Sequence, residues 1–231
     1  MKVMISVLSA TEARQAILCG TGILDVKNPA EGSLGAQSPR VIREIRALSR
    51  EGIEISVAIG DVPDLPGTAA LAALGAACCG ADYIKVGLHG PRTEAAAMAL
   101  LREVRAAVTE SKTSVIVAGY ADYRRAGTLD PRCLPRLAAS SGIKGCLIDT
   151  AVKDGQTLFD FLEPQELRSL AAEAHDAGLL FGAAGSLRKQ DLPILKEVGV
   201  DVAGLRTAAC RDGRRGGQLE PGLVRDLLAF G

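Results

Sequence analysis

The chain has 231 residues, 48% hydrophobic and 23% charged, with 27 basic side chains against 27 acidic ones. These proportions exclude a disordered, collagenous or coiled-coil protein and leave ample chain for a sizeable core. Zero net charge, four Phe, three Tyr and no Trp argue against a nucleic-acid partner, which would want a basic face or stacking platforms.

The longest apolar run without charge, Thr68–Ala81, is too short and too rich in Ala and Gly to span a bilayer. The opening MKVMISVLSATEAR lacks the long apolar region and cleavage site of a signal peptide. A cytoplasmic protein without a membrane partner is expected. Cys19, Cys78, Cys79, Cys133, Cys146 and Cys210 form no C-x-x-C and have only two His in the chain for company. They read as small buried or half-buried residues, not as zinc ligands or disulfides.

In chain order, short β-branched runs predict strands at Lys2–Leu8, Ile23–Lys27, Glu54–Gly60, Tyr83–Gly87, Ser114–Gly119, Gly145–Thr150, Leu179–Ala184 and Val202–Arg206. Helical segments fall between them. Ser9-Ala-Thr-Glu12 reads as a capping box, with Gly20 ending that helix. Ser38-Pro39 and Asp130-Pro131 each put a cap residue before a proline at the first helical position. Cys79-Gly-Ala-Asp82 and Val198-Gly-Val-Asp201 read as a helix end, a glycine cap and a new strand. Eight units in 231 residues give about 29 residues each, the size of a βα repeat. With no linker and no leftover segment, residues 1–231 are expected to form one α/β domain, a single (β/α)8 barrel. A doubly wound sheet would want G-x-G-x-x-G after the first strand, where Ser9-Ala-Thr stands instead.

A barrel of this kind carries its site at the C-terminal ends of the strands. Residues two apart share a strand face. Leu24 and Val26 suit the layer between barrel and helices, so Asp25 and Lys27 point into the mouth. By the same alternation Lys85 turns inward between Ile84 and Val86. Asp149 ends strand six, Lys153 follows in its loop, and Arg206 ends strand eight. Those strands are all even-numbered, so Lys27, Lys85, Asp149 and Arg206 are expected in one interior layer or in adjacent ones. An inward Lys is costly unless paired, and two of them with two strand-end carboxylates favour a site. Lys153 could equally belong to a solvated loop face.

A buried Lys beside a second ammonium is expected to have a lowered pKa. Its neutral amine can attack a carbonyl to form a Schiff base, and a second Lys or an Asp can then move the acidified proton. The strand-seven loop Gly185-Ser186 and the strand-eight end Arg206-Thr207 are placed where barrels hold phosphate, although Gly185 alone also fits a tight turn. The Gly-rich loop Asn28–Ala36, with Ser33, reads as a lid or a second anion pocket. Asp61, just past strand three, could orient a Lys or contact substrate, or reflect loop geometry only. His89 reads as a base or as an exposed loop residue, and His175 as surface helix. Tyr120 and Asp122 are candidate contacts.

The strings Asp25-Val-Lys-Asn-Pro-Ala-Glu-Gly-Ser-Leu-Gly35, Ile59-Gly-Asp-Val-Pro63, Pro66-Gly-Thr68 and Asp82-Tyr-Ile-Lys-Val-Gly87 resemble the (5-formylfuran-3-yl)methyl phosphate synthase family, along the whole chain. The resemblance implies a TIM barrel that condenses two glyceraldehyde 3-phosphate molecules, releasing phosphate and water, in methanofuran-type cofactor biosynthesis. It implies Lys27 as the Schiff-base lysine and Lys85 as proton acceptor, with Asp25, Asp149 and Lys153 as further polar site positions. It implies a lyase acting on a small triose phosphate, with no metal and no cofactor, and leaves a homo-oligomer open. The Arg-rich loop Arg211–Gly217 lies outside the matching strings. The competing expectations are a class I aldolase or phosphosugar isomerase of the same fold, and a non-catalytic barrel that binds a phosphorylated metabolite.

Overall fold

The computed structural model describes all 231 residues. The strands are β1 Lys2–Val7, β2 Ile23–Val26, β3 Glu54–Asp61, β4 Tyr83–Gly87, β5 Ser114–Tyr120, β6 Gly145–Asp149, β7 Leu180–Ala183 and β8 Val202–Leu205. They pair in parallel in sequence order, and β8 returns to β1. The chain is therefore a single (β/α)8 barrel, as its alternation predicts. No helix is long and apolar enough to cross a membrane.

Nine α-helices cover the outside: α1 Ala10–Leu18, α2 Pro39–Leu48, α3 Pro66–Cys78, α4 Glu94–Ala107, α5 Tyr123–Ala126, α6 Leu134–Ser141, α7 Pro164–Asp176, α8 Leu192–Glu197 and α9 Pro221–Leu228. The outward strand residues Leu24, Val26, Ile84 and Val86 pack with helix residues such as Ile42, Ile45, Ala73 and Leu100 in the main core. Gly80 and Gly199 end their helices at φ near +90°, a conformation that glycine adopts without strain. Asp82 and Asp201 then accept the N–H of Ile55 and Phe181 at 2.7 and 2.8 Å, tying each new strand to its neighbour.

The local helix signals are met in part. Ser9 accepts the Glu12 N–H, but Glu12 reaches back to the Leu8 N–H rather than to that of Ser9. Ser38 makes no side-chain cap. Asp130 caps a short 3-10 turn, Pro131–Cys133, and α6 starts only at Leu134. All six cysteines are free, and Cys78 is exposed, against expectation, on the outer face of α3. The Cys146 thiol is pushed up to about 12 by burial.

Inside the barrel the apolar filling is small: Met4, Ile23, Leu34, Ala58, Ile116, Ala118, Tyr120, Leu147 and Ala184. Gly182 and Gly204 occupy inward positions, where a Cβ would press on Leu147 Cδ1 at 2.9 Å and on Met4 Cε at 3.0 Å. Barrel interiors are usually filled by layers of branched residues. Here the upper part of that volume belongs to charged side chains.

Candidate active site

Parallel register brings the polar residues together. Ser6 on β1 stands opposite Asp25 on β2, which stands opposite Ser56 on β3. Lys85 on β4 lies opposite Ala58, a residue small enough to leave its side chain room. Asp25, Lys27, Lys85 and Asp149 are all buried. Asp25 is the hub: Lys85 Nζ lies 2.6 Å from Oδ1, Ser6 Oγ donates to Oδ2 at 2.8 Å, and Lys27 Nζ stands 3.8 Å from Oδ2. A few ångströms away, Lys153 Nζ sits 2.5 Å from Asp149 Oδ1 and donates to Thr150 Oγ1 at 3.0 Å. Lys153 is thus folded into the mouth and is not a solvated loop residue.

Burial lowers the Lys27 pKa to about 8, with the ammonium groups of Lys85 and Lys153 adding to the effect and Asp25 and Asp149 opposing it. The sequence predicts the direction but ranks the causes wrongly, because desolvation outweighs like charge here. For Asp149, burial works upward, but the charges of Lys153 and Lys27 prevail and hold it at about 2. Asp25 is likewise held below its ordinary value by Lys85 and Lys27 against the burial penalty. At neutral pH the centre is two carboxylates and three amines, and Lys27 is the amine with the loosest ion pair.

Lys27, Asp149 and Lys153 line one narrow cleft with Gly185, Ser186, Thr207, Arg206 and Arg215. Gly185 and Ser186 both have positive φ, 106° and 51°, a turn that leaves the N–H groups of Gly185, Ser186 and Leu187 without a protein acceptor. Those of Thr207 and Ala208 are equally uncommitted. Successive free N–H groups in such a turn form an anion-binding concavity.

Three residues expected at the substrate do other work. Arg206 lines the cleft, but its guanidinium is turned to other partners: it pairs with Glu12 at 2.6 and 3.0 Å and donates to the carbonyls of Ser6, Arg215 and Gly217. All five of its N–H groups are spent, so it holds the strand-eight loop and has none left for a phosphate. Asp61 accepts the N–H groups of Ser33 and Leu34 and the Tyr120 hydroxyl, and orients no lysine. Ser33 donates its hydroxyl to the Thr150 carbonyl at 2.7 Å. Both fix the loop after β2. Asp122 anchors the loop after β6 through the N–H groups of Ala151 and Val152. His89 packs edge-on against Tyr120, and His175 on α7 pairs with Asp201 at 2.9 Å.

A family model described as 4-HFC-P synthase matches residues 3–228. A (5-formylfuran-3-yl)methyl phosphate synthase of Methanothermobacter thermautotrophicus is 48% identical over 229 residues, 98% of this chain and 97% of the relative. This chain belongs to the 4-HFC-P synthase family. Synthases of the same name from Methanococcus maripaludis and Methanocaldococcus jannaschii are 46% and 45% identical, with 98% or more of each chain covered. The chain is an enzyme of that family. Among solved structures, 3-hexulose-6-phosphate synthase superposes with a TM-score of 0.66 at 17% identity, covering 100% of this chain and 99% of that one. Phosphoribosyl anthranilate isomerase from Thermus thermophilus gives 0.64, also at 17% and over 100% and 98%. Those two likenesses carry the fold alone.

Three residues that shape this candidate site are not predicted by the strand ends: Ser6, Glu12 and Arg215. Ser6 does carry a signal, as a lone polar residue at an inward position of β1. Glu12 has a sufficient local explanation as a cap, which hides its second role. Arg215 lies in the Gly-rich loop Arg211–Gly217, which its place after strand eight puts near a phosphate, but with no periodicity there nothing tells which of its arginines turns into the cleft.

Proposed function

We propose that the chain condenses two molecules of glyceraldehyde 3-phosphate to (5-formylfuran-3-yl)methyl phosphate through a Schiff base on Lys27, as a lyase of methanofuran-type cofactor biosynthesis. The observation that carries this reading is a buried amine of pKa about 8 that opens onto a cleft with free N–H groups.

The neutral Lys27 amine attacks the aldehyde carbon of the first triose phosphate. Loss of water gives an iminium, with the phosphate held by the turn at Gly185 and Ser186. The iminium is the electron sink for the later steps. It acidifies C2, and the C2 proton passes to the Lys85–Asp25 pair, Lys85 taking it as it hands its own proton to the Asp25 carboxylate. The nucleophilic carbon generated from this iminium bonds to the carbonyl carbon of the second triose, whose oxygen takes a proton. Asp149 and Lys153 act as the second proton-holding pair. Ring closure, loss of one phosphate and net loss of two waters balance two triose phosphates against one furan phosphate. Lys27 is regenerated when water cleaves the last imine.

Borohydride reduction in the presence of glyceraldehyde 3-phosphate, followed by peptide mass spectrometry, tests this reading. A triose-derived adduct on Lys27 is expected, along with an ultraviolet-absorbing furan in untreated turnover mixtures. An aldolase or isomerase would give no aromatic product. Binding of the substrate without any adduct or product would remove the enzymatic reading of the site.

A further inference from the structure

A catalyst that joins two triose phosphates must seat two phosphate groups, and the need for a second seat rests on the condensation proposed for this chain. The space enclosed beside Lys27 is about 20 Å³, little more than a single water needs. Next to it lies a cavity of about 520 Å³. Lys153, Ser186, Leu187, Thr207 and Arg215 line both spaces, which are therefore two chambers of one cleft. The outer chamber adds Arg188 and Lys189, and no carboxylate lines it.

Its four cations are answered unequally. Lys153 is paired with Asp149, and Lys189 with Asp226 on α9 at 2.8 Å. Arg188 and Arg215 have no carboxylate within ion-pair distance among the pairs the fold makes. Arg215 is held instead by three carbonyls of the loop after β2: those of Gly32 and Ser33 accept from Nη2 at 2.7 and 2.8 Å, and that of Pro29 accepts from Nη1 at 3.5 Å. Its Nε has no acceptor. Burial pushes its pKa down against the fields of Asp149, Asp61 and Asp25, none of which forms an ion pair with it. Guanidinium groups are the donors best matched to phosphate oxygens. Two of them left unanswered match the double charge of one phosphate monoester.

We infer that Arg188, Arg215 and the Thr207 hydroxyl form a second phosphate subsite, which seats the triose phosphate that reacts with the enamine on Lys27. Arg215 is the wall shared by the two chambers. Its ties to Gly32 and Ser33 keep the guanidinium across the cleft while the outer chamber stays open to solvent.

The test separates the two phosphates. Arg188 is exposed, so Arg188→Gln leaves the fold intact, and Arg215→Gln serves as the second variant. The concentration of glyceraldehyde 3-phosphate that half-saturates borohydride trapping on Lys27 is expected to stay within twofold of the wild-type value. The concentration that half-saturates furan formation is expected to rise about ten- to a hundredfold, the loss of a charge-assisted contact. Unchanged furan kinetics in both variants would overturn the subsite. So would trapping that weakens in step with product formation, because both arginines would then serve the first triose. Failure of the Schiff-base reading would appear in the wild-type protein, as furan production without an adduct. Failure of the subsite would appear only in the variants.

Discussion

Lys85 and Asp25 form a buried ion pair, 2.6 Å between Nζ and Oδ1, with the side chains 4% and 1% exposed. Sixty positions apart in the chain, they meet because β2 and β4 flank β3 and both turn inward. That pair leaves Lys27 at 3.8 Å from the other carboxylate oxygen. One lysine is therefore committed and its neighbour is available, although both are buried lysines on the same barrel wall.

Replacing Lys27 by Ala should lower furan formation at least a thousandfold, on the order of the loss seen when a covalent nucleophile is removed. Circular dichroism should remain that of the barrel, because the side chain makes no hydrogen bond that closes the fold. In the wild-type protein the amine loses its proton near pH 8. Trapping by borohydride should rise through that pH and then level off. A rate flat from pH 6 to 9 would contradict this assignment.

Asp25→Asn removes the carboxylate that faces two buried ammonium groups. Breaking one side of a buried pair costs about 3–5 kcal/mol, to be read from urea unfolding. Asp25 also supports the charged form of Lys27. Its loss should therefore move the rising limb of the trapping profile to lower pH, an effect that general loosening of the barrel would not produce.

Asp149 ionises at about 2 in the fold against an ordinary value of 3.8. A depressed carboxylate contributes stability that is fully present above its unfolded pKa and is lost as pH falls through the folded one. The contribution is about 2 kcal/mol at neutral pH. Between pH 4 and pH 2 the wild-type protein should lose stability more steeply than Asp149→Asn. Parallel curves in that window would contradict the pairing with Lys153.

Arg206→Leu should destabilise the chain by about 3 kcal/mol, since it strands Glu12 and frees three carbonyls. Glu12→Gln should cost part of the same energy, and the double variant little more than Arg206→Leu alone, because the two belong to one contact. Full additivity in thermal or denaturant unfolding would show that they act separately.

Gly87→Ala tests how the loop after β2 is held. A Cβ there would run into the Tyr120 hydroxyl and press on Leu34 Cδ1 at 2.9 Å and the Gly60 carbonyl at 3.0 Å. Overpacking of this kind costs about 1–3 kcal/mol. Displacing Tyr120 also loosens Asp61, which holds Ser33 and Leu34. The turnover number should fall along with the melting temperature, and wild-type kinetics in this variant would show that the loop is held by other means.

The alternation of short β-branched runs with helical segments is enough to count the strands and close the barrel, because strand and helix periods are local properties of the chain. The same period of two puts Asp25 and Lys27 on one face and turns Lys85 inward. Those inferences need only the residues next to each position. Partner choice among long side chains is not local. Arg206 lies one residue past the end of β8, beside its expected place, but barrel closure brings Glu12 of α1 within its reach, and the bidentate pair takes the guanidinium away from the cleft. Of the two readings open for Asp61, orienting a lysine or serving loop geometry, the second holds, because the loop after β2 offers it two N–H groups.

Arg215 stands furthest from anything the sequence determines. Its loop has no hydrophobic period, and its partners Gly32 and Ser33 lie 183 and 182 positions away. The amino-acid order decides which residues face the interior, since that depends on backbone geometry within a few residues. The closed, staggered barrel decides which charges meet and which are left without a partner. Electrostatic energy depends on distances between strands that no stretch of sequence contains.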